Sequence, residues 1–139
     1  MSHAATQIRS WFITNLTGVS GLPTPTQGHP RQIASNVDAC VVTSTTEIIQ
    51  PHTIHDPRTD VRELAIQVIC IAGSLAEVDV LSMAAEEAIE GATFITGADL
   101  IFQSRDYDEN IDTDRDYVSV TLNYSARYFV ARNNVDTFI

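Results

Sequence analysis

Residues 60–92 constrain the fold more than any other stretch. Val61 to Ala72 is the longest run rich in β-branched residues in the chain. Directly after Gly73 comes Ser74, with Glu77 three residues on. That spacing is a capping box, in which the serine hydroxyl and the glutamate carboxylate satisfy orphan amides at a helix start. The unit therefore reads as a strand, a one-residue hinge and a long helix folded back over the strand's sheet. In the strand, Leu64, Ile66, Val68 and Cys70 alternate to one side, and Ala65, Ile69 and Ile71, with Gln67, to the other. Both rows are mostly apolar, which predicts cover on both faces. In the helix, Val78, Leu81, Ala85, Ile89 and Ala92 form one stripe, joined by Ala88, opposite Asp79, Ser82, Glu86, Glu87 and Glu90. A capped helix after a buried strand is also where α/β enzymes hold phosphates. Here the turn Ala72-Gly73-Ser74 is too short and glycine-poor for that, and Glu77 and Asp79 already occupy the electropositive end. The unit is a scaffold.

Other elements follow from period and punctuation. Ile8, Trp11, Phe12 and Leu16 recur at helical spacing and predict a short amphipathic helix over Ala4–Leu16, stopped by Gly18 and Gly21. Residues 17–35 hold three glycines and Pro23, Pro25 and Pro30, so they cannot be helix. They read either as a solvated loop or as an arm that orders against a neighbouring subunit, its prolines lowering the entropic cost. The arm's candidate interface residues are Leu22, Pro23, Pro25, His29, Pro30 and Arg31. Residues 36–44 read as a buried strand, Ser44-Thr45-Thr46 as a turn, and 47–50 as a second strand ended by Pro51. These two and the long central strand are expected to form a meander. Residues 98–104 make a short strand, and 105–116 an acidic hairpin loop. Tyr117–Val130 alternates with Val118, Val120, Leu122, Tyr124, Ala126, Tyr128 and Val130 inward and Ser119, Thr121, Asn123, Ser125 and Arg127 outward. The expectation is one α/β domain of the α+β kind over 1–139. It has a mixed, mainly antiparallel sheet of about five strands packed by two helices, with the long Gly/Pro-rich arm after the first helix.

Composition narrows the function. At 139 residues, 44% hydrophobic and 19% charged, the chain is globular and long enough for a real core. A net charge of −10 argues against whole-surface affinity for nucleic acid, which needs a basic patch. All eight cations are arginines. No run reaches the roughly 18 apolar residues of a membrane span, and no apolar signal core follows the first residues, so a soluble protein made in the cytoplasm is expected. Cys40 and Cys70 both fall in predicted strands and read as small buried hydrophobes in a reducing compartment.

The constellations that could carry chemistry are weak. Asp106, Asp108 and Asn110 open like a calcium loop, but Ile111 stands where glycine is needed and Tyr117 where a bidentate glutamate is needed. A solvated hairpin tip is the plainer reading of Asp106, Asp108, Glu109, Asp112, Asp114 and Asp116. A further reading makes them a channel-facing electronegative surface that lets DNA pass without sticking. His52, His55 and Asp56 fall short of the four partners zinc usually takes. No serine sits in a nucleophile elbow, no lysine exists to follow a glycine-rich loop, and neither cysteine has an activating neighbour. Glu86, Glu87 and Glu90 look like a solvated helix face. No catalytic residue, metal or cofactor is expected, and no enzymatic activity.

Three stretches carry a family resemblance, together covering roughly residues 30–130. Pro30-Arg31-Gln32-Ile33 leads into Ala39-Cys40-Val41-Val42 and Glu47. Arg62-Glu63-Leu64-Ala65-Ile66-Gln67-Val68 is followed by Asp79 to Glu90. Tyr117–Val130 closes the chain behind an aspartate-rich loop. With their order, these patterns resemble the tail terminator (tail completion, or minor tail) proteins of long-tailed bacteriophages. The resemblance implies a non-enzymatic virion subunit, assembled in the host cytoplasm as a homo-oligomeric ring, usually a hexamer. Such a ring sits at the head-proximal end of the tail. It caps the tail tube, ends its polymerisation and meets the neck connector, with DNA only in passage and no membrane partner. The alternatives are a stopper or connector protein of the neck and, from another class, a small ligand-binding α/β domain.

Overall fold

A computed structural model describes residues 4–27, 38–51, 59–111, 116–131 and 134–138. Its elements are α1 (Ala4–Leu16), β1 (Thr26–Gln27), β2 (Ala39–Pro51), β3 (Thr59–Ala72), α2 (Leu75–Glu90), β4 (Ala98–Ile111), β5 (Asp116–Ala131) and β6 (Asn134–Phe138). The fold is α+β, as expected. Its mixed, mainly antiparallel sheet runs in the order β1-β2-β3-β5-β4, with β6 paired to the end of β5. Only the two-residue β1 pairs parallel to its neighbour.

β3, α2 and β4 form a split β-α-β unit. β5 lies antiparallel between β3 and β4, pairing with β3 from Thr59↔Ala131 to Ala72↔Val118 and with β4 from Ala98↔Tyr128 to Ile111↔Asp116. The final long strand therefore inserts into the sheet and leaves β4 outermost.

The capping box forms as read. Ser74 Oγ accepts from the Glu77 amide at 3.2 Å, and its own backbone is extended. Along α2 the buried residues are Val78, Leu81, Ser82, Ala85 and Ile89. Ser82 thus departs from the expected polar face. Its hydroxyl donates to the Asp79 carbonyl at 3.1 Å, which removes the cost of burying it. Helix α1 buries Ala4, Ala5, Ile8, Phe12 and Leu16, while Trp11 is half-buried. Each large side chain among them contributes about 2 kcal/mol.

Both helices lie on one face of the sheet, over Cys40, Val42, Leu64, Ile66, Val68, Cys70, Val120, Leu122, Tyr124, Ala126 and Tyr128. The expected second cover of β3 is met in part: on the face away from the helices Ile71 is buried, and Ala65, Gln67 and Ile69 are half-buried. The helix stripes are spent on the opposite face and on each other. The second row of β3 instead neighbours the polar row of β5, where Gln67 Nε2 donates to Asn123 Oδ1 at 3.1 Å. Among the described residues no helix packs on that face, which lies open along β4, where Asp99, Ile101, Asp106 and Asp108 are exposed.

Three boundaries also change. The expected turn at Ser44-Thr45-Thr46 is a bulge within one strand, so 39–51 runs unbroken. Serine and threonine read as turn formers because they bond locally, but β-branched threonine also suits a pleated strand, and the extra residue is absorbed between Ser44 and Thr46. The acidic stretch expected as a loop is strand up to Ile111, because β5 pairs along its whole length. After β5 comes a sixth strand, β6, for which the sequence carried no expectation.

Candidate functional site

Exposed large apolar side chains lie on the two outer strands of the sheet and on α2, where they are Leu75, Val80 and Met83. On one edge, β1 pairs with β2 only at Val41 and Val42. From Thr43 to Pro51 the outer side of β2 has no strand partner among the described residues. This edge is nearly neutral and carries Ile48 and Ile49, 52% and 48% exposed. They project to opposite faces, since Ile48 pairs with Glu63 and Ile49 with Arg62. On the other edge, the outer side of β4 is unpaired among the described residues over its 14 positions. It carries Ile101, Phe102 and Tyr107, all exposed, beside Asp99, Asp106 and Asp108.

A bulge between Phe102 and Ser104 sets how β4 presents its residues. Before it, Ala98, Leu100 and Phe102 share the helix face with Tyr128, Ala126 and Tyr124. After it, Arg105 and Tyr107 take that face, opposite Leu122 and Val120. The shift lets Arg105 Nη2 meet Glu86 Oε2 at 2.6 Å and Tyr107 donate to Asp79 Oδ1 at 2.9 Å. Arg105 also donates to the Tyr107 hydroxyl at 3.4 Å, and these contacts hold its guanidinium charged. The pair is part-exposed, so it adds well under 1 kcal/mol, but it clips the edge strand to α2. On the open face, Asn123 Nδ2 donates to Asp106 Oδ2 at 2.7 Å and to Ser104 Oγ at 3.0 Å, extending the row begun by Gln67. Asp99, Arg127 and Glu63 make a parallel row of alternating charge.

The predicted site residues divide accordingly. Asp106 and Asp108 stand exposed on the open face of β4, Glu109 lies on β4, and Asp116 opens β5. Asp112 and Asp114 lie outside the described residues. Asp106, Asp108 and Asn110 are in extended strand, which cannot wrap a calcium ion as a loop does. Of the arm, Leu22 packs against the core and Pro25 is buried, so this part belongs to the domain's own packing; Pro23 is half-buried. Gly18 and Gly21, at φ +78° and +82°, make the turns that bring it there. His29, Pro30 and Arg31 lie outside the described residues, as do His52, His55 and Asp56.

Sequence reasoning missed a buried polar cluster at the far end of the sheet. Tyr128, fully buried, donates to Glu47, and Arg62 Nη1 lies 3.5 Å from Glu47 Oε1. Burial first, then the bond to Glu47, pushes the Tyr128 phenol above the ordinary tyrosine value. The signal was present in Glu47 and Arg62, charges at inward positions of apolar strands. Cys40 and Cys70 are buried directly opposite each other. Their shared hydrogen bond, with burial, pushes the Cys70 thiol up, which leaves it inert. Among the described residues no three histidine, cysteine or carboxylate side chains gather as a metal site, and no helix is long and apolar enough to cross a membrane.

No family model and no curated protein matches the sequence. Among solved structures, this chain is similar to one titled "Virion of native gene transfer agent (GTA) particle", at 17% identity over 90% of each chain with a TM-score of 0.46. A likeness of that degree leaves the function to be argued from the residues.

Proposed function

We propose that this chain is a structural, non-enzymatic virion subunit that assembles with copies of itself into a ring. The ring closes the head-proximal end of a phage tail tube, ends tube growth and offers a surface to the neck connector. The observation that carries this reading is the pair of unlike open edges. Monomeric proteins blunt long apolar edges, whereas both edges here expose adjacent large side chains. Two β4 edges would oppose Asp99, Asp106 and Asp108 to their own copies, so like-with-like pairing is disfavoured. A neutral β2 edge meeting an acidic β4 edge is heterologous, and heterologous contacts that close give rings.

The family resemblance supplies the place in the virion and the expected sixfold count. The acidic open face along β4 suits a channel wall along which DNA slides without specific contact. Electron microscopy of tail tubes mixed with the purified protein tests the reading. Rings capping one end of each tube, with tube elongation arrested, are expected. Tubes that keep growing with bare ends would overturn it.

A further inference from the structure

Beside the β4 edge, on the helix side of the sheet, lies a groove of about 340 Å³. Trp11 and Phe94 form one wall, their rings edge-on at 4.8 Å, and Phe102 and Tyr124 the other, 5.2 Å apart. The Trp11 indole nitrogen donates to the Thr93 carbonyl at 3.0 Å, which fixes the first wall. The one charged residue lining the groove is Glu90. It is exposed and makes no ion pair among the described residues, whereas its neighbour Glu86 is held by Arg105.

The field in this groove is negative from two sources. Glu90 is the last residue of α2, where the helix dipole places partial negative charge. The last turn carries no basic residue to offset it. Burial first, then the charges of Glu86 and Glu90, pushes the Tyr124 phenol up, so it remains neutral and adds no anion. Aromatic faces around an uncompensated carboxylate are what a guanidinium or ammonium group binds, and a planar guanidinium also stacks. The groove adjoins the open edge of β4, to which Phe102 and Leu100 belong. A strand added to that edge would direct alternate side chains to the helix face, the geometry by which strand addition gains specificity.

We propose that the groove is the side-chain pocket of a strand-docking site, taking an extended segment of a partner protein that pairs with β4 and seats an arginine between the aromatic walls against Glu90. In a ring closed through β4 the neighbouring subunit would occupy this edge, so the site belongs to the free subunit and is tested on Ile48→Lys, which blocks the β2 edge and leaves β4 intact.

Trp11 is the sole tryptophan, so its emission reports occupancy directly. The probe is the blocked pentapeptide Thr-Val-Arg-Val-Thr, titrated to about 10 mM into the full chain carrying Ile48→Lys, whose β4 edge stays open. A saturable change in emission is expected. The same peptide with citrulline in place of arginine should bind about tenfold more weakly, and Glu90→Gln should remove most of that difference. Acetyl-arginine amide alone should also bind about tenfold more weakly than the peptide, because it cannot pair with the edge. No saturable response, or equal binding of the arginine and citrulline peptides, overturns the proposal. Equal binding of the peptide and the single amino-acid derivative overturns the strand addition and assigns a free-cation site instead. Glu90 is exposed, so Glu90→Gln is expected to unfold at the wild-type temperature, which separates loss of binding from loss of fold.

Discussion

Replacing Glu47 by glutamine probes the buried cluster that joins β2, β3 and β5. Glutamine keeps the shape and can still accept from Tyr128, so the change isolates the charge opposite Arg62. The Arg62 side chain is 11% exposed and that of Glu47 21%, at 3.5 Å. At an effective dielectric of about 20, that separation corresponds to roughly 4–5 kcal/mol of attraction. Part is already offset by desolvation, and part of the guanidinium can turn to solvent through the exposed fifth of Glu47. Arg62 Nε is buried without a partner among the described residues, so the cation has no reserve of hydrogen bonds. The expected loss is about 2–3 kcal/mol, a large share of the 5–15 kcal/mol such domains have. Urea unfolding followed by circular dichroism measures it, with Tm lower by roughly 8–10 °C. Adding Arg62→Met removes the stranded cation and should recover at least about 1 kcal/mol relative to the sum of the single variants. A Glu47→Gln loss below about 0.5 kcal/mol, or strict additivity in the double variant, would refute the claim that the ion pair holds this end of the sheet.

Tyr124 and Tyr128 are both raised above the ordinary tyrosine value. The unfolded chain therefore loses these protons first. Stability is complete below about pH 10 and falls above it, by about 1.4 kcal/mol per pH unit per tyrosine; alkaline unfolding titrations of Tyr124→Phe and Tyr128→Phe should each show a shallower fall. Ser74→Ala removes the cap on α2 and should cost about 1 kcal/mol in thermal unfolding, with Ser74→Gly closer to wild type. Leu22→Ala should lower stability by about 1–2 kcal/mol, because Leu22 packs on the core; an unchanged unfolding midpoint would return the segment to a free arm. Asp106→Asn with Asp108→Asn should leave folding intact while slowing DNA release from assembled particles, and unaffected release would remove these residues from a channel wall.

What the sequence showed and what it hid divide along physical lines. The span of α1, the cap of α2 and the two-faced alternation of β5 are local, so period and capping chemistry reveal them. The split unit is not local: nothing in Tyr117–Val130 says that it enters between β3 and β4, because inner strands on either side of it present the same apolar row. Both bulges were illegible for a related reason. Thr45 and Gln103 are ordinary strand residues, and only the partner's register makes them extra. Through the second bulge, Arg105 and Tyr107 turn to α2 and the acidic run becomes an ordered edge. The groove escaped notice because its walls come from Trp11, Phe94 and Phe102, which sit far apart in the chain.

The central claim is that two different edges join. Mass by light scattering on two variants tests it most directly: Ile48→Lys places a charge on the β2 edge, and Ile101→Lys places one on the β4 edge. Each side chain is 52% exposed, so both variants should fold. Wild type is expected to give a closed ring. Each variant alone should be monomeric, and an equal mixture should give dimers and nothing larger, since each supplies the edge the other has lost. A variant that still self-associates through its intact edge, or a mixture that stays monomeric while wild type is a ring, would contradict the heterologous edge-to-edge account.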